Sequence, residues 1–216
     1  MKISSRLVEC ANYVIPYKRI ADVGTDHALL PIYLIKEKLA DKVVASDVGV
    51  GPLKFAKKNV LAEGITSIEV ILSDGIKHLT DDIEVVIITG MGGKLIADIL
   101  TDDLKNVQRL ILQPNMAADI LRKHLQVIDF NIQTETIIID NDIFYEIIVA
   151  DKGVMSLSSK EFMFGPINLK NKTKNFIDYW TSESQKFTKT LNQIPTDNEN
   201  HTKIKNIIEM INMEIS

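Results

Sequence analysis

A chain of 216 residues with 45% hydrophobic and 25% charged side chains is long enough to bury a core unaided, and it reads as one ordinary domain with a small appendage. Its single cysteine, Cys10, cannot form an internal disulfide, which excludes a disulfide scaffold and a Cys-based zinc site, and a start without the apolar core of a signal peptide leads us to expect a cytoplasmic location. The formal charge of −4 argues mildly against a phosphate-rich partner, and no run of about 18 apolar residues offers a membrane span.

In chain order, an amphipathic stretch at residues 4–15 precedes a first strand at 19–24 and a helix at 27–39. A strand at 42–47, a helix at 51–63 closed by Gly64, and a strand at 68–72 follow. Next come a strand at 84–89, a helix at 93–100, a strand at 109–113 and a helix at 117–126. Two final strands, 134–140 and 144–150, meet at Asn141-Asp142, a sequence suited to a tight hairpin turn. This alternation predicts an α/β layer fold: five parallel strands closed by an antiparallel pair, with connections of a few residues.

Beyond Ala150 the composition shifts to Ser156, Ser158 and Ser159, then Gly165-Pro166 and a Lys/Asn-rich stretch, so domains of 1–153 and 154–216 are expected. Phe176, Trp180, Phe187 and Leu191, and after the break at Ile194-Pro195 the series Ile204, Ile208, Ile211 and Ile215, follow a near 3.5-residue repeat. They predict two helices folded back as an antiparallel hairpin, with the aromatic stripe read as core. Residues 1–151 hold 16 basic against 22 acidic side chains and residues 152–216 hold 9 against 7, so any phosphate contact falls to the tail, through Lys170, Lys172 and Lys174.

The chemistry concentrates at strand ends. Ile20-Ala21-Asp22-Val23-Gly24-Thr25-Asp26 carries an apolar strand into an acid-x-Gly turn, where the backbone must approach a ligand at the carboxyl edge of a parallel sheet. The next strand ends in Asp47, followed by Val48, and an acid there can accept both hydroxyls of a ribose. Such spacing suits NAD or S-adenosylmethionine. The dinucleotide glycine pattern is missing, and Asp26 occupies its second glycine slot, where it would repel a pyrophosphate; Asp22 and Asp26 suit a cationic sulfonium and amine better. Ser73-Asp74-Gly75 places a third acid after the third strand, where an Asp can accept an adenine amine. Gly90-Met91-Gly92-Gly93 bares backbone where transferred group and acceptor meet, and Gln113-Pro114-Asn115 offers amides for a base edge or a simple turn. His78, His124 and His201 have no metal-ligand spacing.

These segments, with Ser5-Arg6-Leu7 and the run Gly24-Thr25-Asp26-His27-Ala28-Leu29-Leu30-Pro31, resemble the bacterial tRNA (adenine-22-N1)-methyltransferases, the TrmK family. The resemblance spans essentially the whole chain. It implies a Rossmann-like class I methyltransferase sheet with a C-terminal coiled-coil hairpin, S-adenosyl-L-methionine as cofactor and tRNA as substrate, with no obligate protein partner. By position it sets the cofactor against Gly24, Asp47, Asp74 and Gly90, and our reading of the same strand ends adds Asp22, Val48, Ser73, Gly75, Met91 and Gly92 as further cofactor candidates. The resemblance gives Asp26 the strongest claim to a catalytic role; our own reading has His27 either orienting Asp26 or packing at the helix start, and Arg6 either binding an RNA phosphate or forming a surface salt bridge. The Asn/Asp-Pro-Pro-Tyr/Phe motif of enzymes that methylate the exocyclic amine of adenine is replaced by Gly-Met-Gly-Gly, so the base must be held differently. A methyltransferase for another RNA, a protein or a small molecule, and a non-catalytic RNA-binding module, are the competing readings.

Overall fold

The computed structural model describes residues 3–100, 104 and 106–216. Along the chain lie α1 (Ser5–Asn12), β1 (Arg19–Val23), α2 (Leu29–Lys36), β2 (Lys42–Asp47), α3 (Val50–Ala62), β3 (Ile68–Leu72), β4 (Val85–Met91) and α4 (Gly93–Ile99). They are followed by β5 (Arg109–Pro114), α5 (Ala118–Val127), β6 (Phe130–Asp140), β7 (Ile143–Lys152), α6 (Ser159–Phe164), α7 (Pro166–Asn171), α8 (Lys174–Leu191) and α9 (Glu199–Ile215).

The strands form one sheet in the order β3-β2-β1-β4-β5-β7-β6. The first five run parallel, and β7 inserts antiparallel between β5 and β6. The central strands are near-continuous apolar runs because both faces are covered, with Ile20, Val43, Ile87 and Ile111 fully buried. From β1 the chain winds outward through β2 and β3, then crosses to β4 on the other side. That reversal puts the switch point of the sheet between the carboxyl ends of β1 and β4.

The predicted α/β fold is thus observed, with shifted boundaries that have local causes. The 27–39 helix begins only at Leu29, because Asp26 (φ 50°) and Ala28 (φ 57°) turn the backbone left-handed after β1. The penultimate strand starts at Phe130 rather than Thr134. A bulge between Ile132 and Thr134 moves the buried face from Phe130 and Ile132 to Glu135 and Ile137, and so hides the alternation of the first residues. Asn141 (φ 50°) and Asp142 (φ 62°) form the two-residue hairpin turn in the geometry that Asn and Asp tolerate.

The chain divides into two compact units, 1–166 and 167–216, later than the expected boundary after residue 153. The difference is α6. Ser158 caps it reciprocally with Glu161, and its Phe162 and Met163 carbonyls accept from Arg122 on α5, which ties it to the sheet unit. In the second unit α8 and α9 form the expected antiparallel hairpin. Phe176, Trp180 and Ile211 are buried, Ser184 Oγ donates to Asn212 Oδ1 at 3.0 Å, and Lys172 pairs with Glu214 at 3.3 Å. Of the expected stripe Phe176 and Trp180 are core, while Phe187 and Leu191 are partly buried. No helix among the described residues is long and apolar enough to cross a membrane.

Candidate functional site

A cleft of about 570 Å³, within the range of small-molecule sites, opens at the switch point. Its walls come from α1 (Arg6, Leu7), the β1 end (Asp22, Gly24), the following loop (Thr25, Asp26, His27), Asp47 of β2, and Thr89, Gly90 and Met91 of β4. The loop after β1 is pinned to β2: Ser46 O accepts from Gly24 N at 2.8 Å and Thr25 N at 2.9 Å. Asp47 holds its own turn, Oδ1 accepting from Gly49 N at 2.8 Å and Oδ2 from Asp26 N at 3.4 Å. Left-handed backbone at Asp26 and Ala28 costs on the order of 1 kcal/mol or more each, and persists because these bonds over-determine the loop. Gly24 (φ 79°) tolerates that geometry freely, and a Cβ there would collide with Met91 Cε.

The opposite corner is built around Gly90 (φ 78°). Gln113 is fully buried, and its Oε1 accepts from Gly90 N at 3.0 Å and from Arg6 Nη1, while its Nε2 donates to Asn115 Oδ1 at 3.0 Å. Asn115 Nδ2 in turn donates to Gly90 O at 2.7 Å. Both amides help to fix the glycine loop. Gln113 is buried beneath the loop, whereas Asn115 stays exposed beside it. The Arg6 guanidinium lies over the Tyr145 ring, 5.1 Å from its centroid.

Electrostatically the cleft is acidic, with Asp22, Asp26 and Asp47 in its lining. Asp22 is 4% exposed, and burial, reinforced by the Asp47 charge, pushes its pKa up to about 6 from 3.8. Because the folded-state value is the raised one, the stability tied to Asp22 is fully present below pH 3.8 and is lost as pH rises through 6, on the order of 2–3 kcal/mol in all. A cation bound beside Asp22 reverses that preference. The affinity of this cleft for a cationic ligand should therefore fall about tenfold per pH unit below 6 and level off above it. Asp22→Asn should flatten this profile while raising the melting temperature of the ligand-free protein at pH 7.5; calorimetric titrations from pH 5 to 8 check the first and thermal melts the second.

Among the other expected residues, His27 shares the lining and the rest lie outside it. Ser73 and Gly75 are buried in the turn after β3, Ser73 Oγ donating to Gly75 O at 3.1 Å. Asp74 is exposed and its carboxylate accepts from Lys77 Nζ at 2.5 Å, which holds its pKa below the usual carboxylate value. Val48 stands exposed beside Asp47, and Gly92 caps α4. His27 Nε2 lies 3.5 Å from Asp26 Oδ2, with its ring edge-on to Phe55. In the second unit Lys170, Lys172 and Lys174 are exposed, Lys172 paired with Glu214 and Lys174 with Asp178. Cys10 is buried, its thiol pushed up to about 12 by desolvation, as suits a core residue. Sequence reasoning missed Thr89 and Tyr145. Only the placement of β7 beside β5 brings Tyr145 to Arg6, and no local pattern encodes it.

The lining combines an acid at the end of β2, two glycines that bring backbone to the cleft wall and a buried carboxylate, a set able to take a ligand that carries hydroxyls and a cationic group. A family model described as tRNA (adenine(22)-N(1))-methyltransferase matches residues 20–215. The tRNA (adenine(22)-N(1))-methyltransferase of Bacillus subtilis is 31% identical over 227 residues, covering 99% of this chain and 95% of the relative. A Streptococcus pneumoniae protein in complex with S-adenosyl-L-methionine superposes with a TM-score of 0.93 at 37% identity, covering 100% of both chains. M. capricolum TrmK in complex with S-adenosyl-homocysteine gives 0.90 at 33% identity, covering 100% of this chain and 98% of that one.

Proposed function

The chain belongs to the tRNA (adenine(22)-N(1))-methyltransferase family, and we propose how its residues share the work of methylating N1 of adenine 22 in tRNA with S-adenosylmethionine as donor. The observation that carries the reading is the acid-lined cleft at the β1/β4 switch point of a chain that matches the family nearly end to end. When bound, the cofactor supplies an electrophilic methyl group on a sulfonium.

Asp47 accepts the ribose hydroxyls, with Val48 beside it as an apolar neighbour for the adenine ring. Ser73, Asp74 and Gly75 close the adenine end, Asp74 exchanging its lysine partner for the exocyclic amine. Gly24, Gly90, Met91 and Gly92 bring backbone close to the reacting centre, and Asp22 balances the positive charge there. Adenine N1 is a weak nucleophile that becomes cationic on methylation, so the protein contributes alignment and a negative field. Asp26, whose side chain is two-thirds exposed at the cleft, accepts a hydrogen bond from the target amine, and His27 orients it.

A stacked adenine must leave the tRNA interior to reach this cleft. Lys170, together with Lys172 and Lys174 once these exchange Glu214 and Asp178 for phosphates, holds the RNA backbone, and the 154–216 segment serves as the tRNA-binding part of a cytoplasmic enzyme. The test is methyl transfer from labelled S-adenosylmethionine to a bacterial tRNA with adenine at position 22, beside the same tRNA with guanine there. Label at N1 in the adenine transcript alone is expected. Intact cofactor binding with no label in either transcript would move the activity to another substrate.

A further inference from the structure

We propose that α3 is an RNA-binding surface of the sheet unit, on which Lys54, Lys57 and Lys58 receive phosphates of the strand that brings its base to the cleft; this rests on the reading that the substrate is tRNA. The helix Val50–Ala62 carries three lysines and no acid. All three are exposed and, at spacings of three and four, share its outward face, while Leu53, Ala56 and Val60 pack inward. Among the described residues none of the three pairs with a carboxylate. On α5 and α8, by contrast, Lys123 pairs with Asp119, Lys174 with Asp178 and Lys186 with Glu183, each within one turn. Like charges one turn apart, as at Lys54 and Lys58, weaken a helix, so helix stability does not account for the stripe. It is a local reversal of sign in a stretch of chain, residues 1–151, where acids outnumber bases.

The helix is tied directly to the cleft. Asn59 Nδ2 donates to His27 O at 2.9 Å, and the Phe55 and His27 rings meet with centroids 5.3 Å apart. His27 in turn lines the cleft beside Asp26. In that lining Asp22, Asp26 and Asp47 outnumber Arg6, so the cleft itself repels a phosphate backbone. An RNA strand that delivers a base there needs countercharge outside the cleft and next to it, and α3 has that charge one side-chain contact away. Phe55, more than half exposed beside Lys54, adds a ring on which an unstacked base can lie. Lysines alone would suit any polyanion. The aromatic ring among them, and the base-sized cleft they border, favour RNA over an acidic protein segment.

The experiment measures binding of a bacterial tRNA with adenine at position 22 to the full chain, by fluorescence anisotropy from about 0.05 to 0.2 M salt. The combined variant Lys54→Gln, Lys57→Gln and Lys58→Gln should weaken tRNA about 10–100-fold near 0.1 M salt and reduce the slope of log affinity against log salt by about 2–3, near one phosphate per lysine. Its affinity for S-adenosylmethionine should stay within about twofold of wild type, since the three side chains lie outside the cleft lining. Glutamine keeps the helix propensity of lysine, and the three positions are exposed, so the variant folds. Arginine at all three positions keeps the charge and should restore both affinity and slope. Lys123→Gln on α5 removes one charge already paired with Asp119 and should change the slope by less than about 0.3. An unchanged slope in the glutamine triple would overturn the surface. So would a change for Lys123→Gln equal to that per α3 lysine, which would make the effect one of net charge. A wild type that binds no tRNA at all would instead strike the reading of the substrate, and the surface with it.

Discussion

Replacing Arg122 by leucine should destabilise the sheet unit by about 3–5 kcal/mol, the cost of stranding buried charge, and lower the urea midpoint accordingly. Arg122 is fully buried on α5. Its Nε donates to Glu135 Oε1 at 2.6 Å and its Nη2 to Glu146 Oε2 at 2.5 Å. Nη1 reaches the Phe162 and Met163 carbonyls at 3.1 and 3.2 Å. Burial pulls the guanidinium pKa down, but the two carboxylates outweigh it and hold the value above that of an ordinary arginine. Without the guanidinium, the buried Glu135 loses its charge partner and two α6 carbonyls lose a donor. Amide exchange should therefore rise first in Ser159–Phe164. Changing Arg122, Glu135 and Glu146 together to apolar residues should recover much of the loss, because an apolar core needs no compensation. A loss below about 1 kcal/mol for Arg122→Leu alone would show that the triad does not hold this region together.

That triad marks where sequence reading stops. The parallel strands were legible because each is an apolar run ended by an acid or glycine, and the same strand ends announced Asp22, Gly24, Asp47 and Gly90. The hairpin helices were legible from spacing alone. What stayed hidden depends on pairs far apart in the chain. Arg122 with Glu135 and Glu146 looks like three solvated charges until α5 packs over β6 and β7. The bonds of Gln113 and Asn115 with Gly90, and of Arg6 with Gln113, 107 residues away, likewise have no local signature. Asp74 shows the converse. Its motif marks the expected strand end, yet its carboxylate faces Lys77, so the turn is legible and the side-chain direction is not.

Asp26→Asn should reduce the single-turnover methylation rate by about 100-fold or more, with cofactor and tRNA affinities within about threefold of wild type. The substitution isolates charge with little else. Asparagine is among the few residues that accept a φ of 50°, so the loop after β1 keeps its shape, and the Asp26 N–H to Asp47 Oδ2 bond involves only backbone at this position. An Asp26→Ala variant would add backbone strain to loss of the side chain and blur the result. If the carboxylate stabilises the base as it becomes cationic, a neutral amide of the same shape removes the field and leaves the geometry, so the loss appears in the chemical step and not in binding. Retention of a near wild-type single-turnover rate would reduce Asp26 to a loop residue. The catalytic field would then have to come from the other carboxylates of the lining, Asp22 and Asp47, and chiefly from Asp22, since Asp47 is already committed to Gly49 and Asp26.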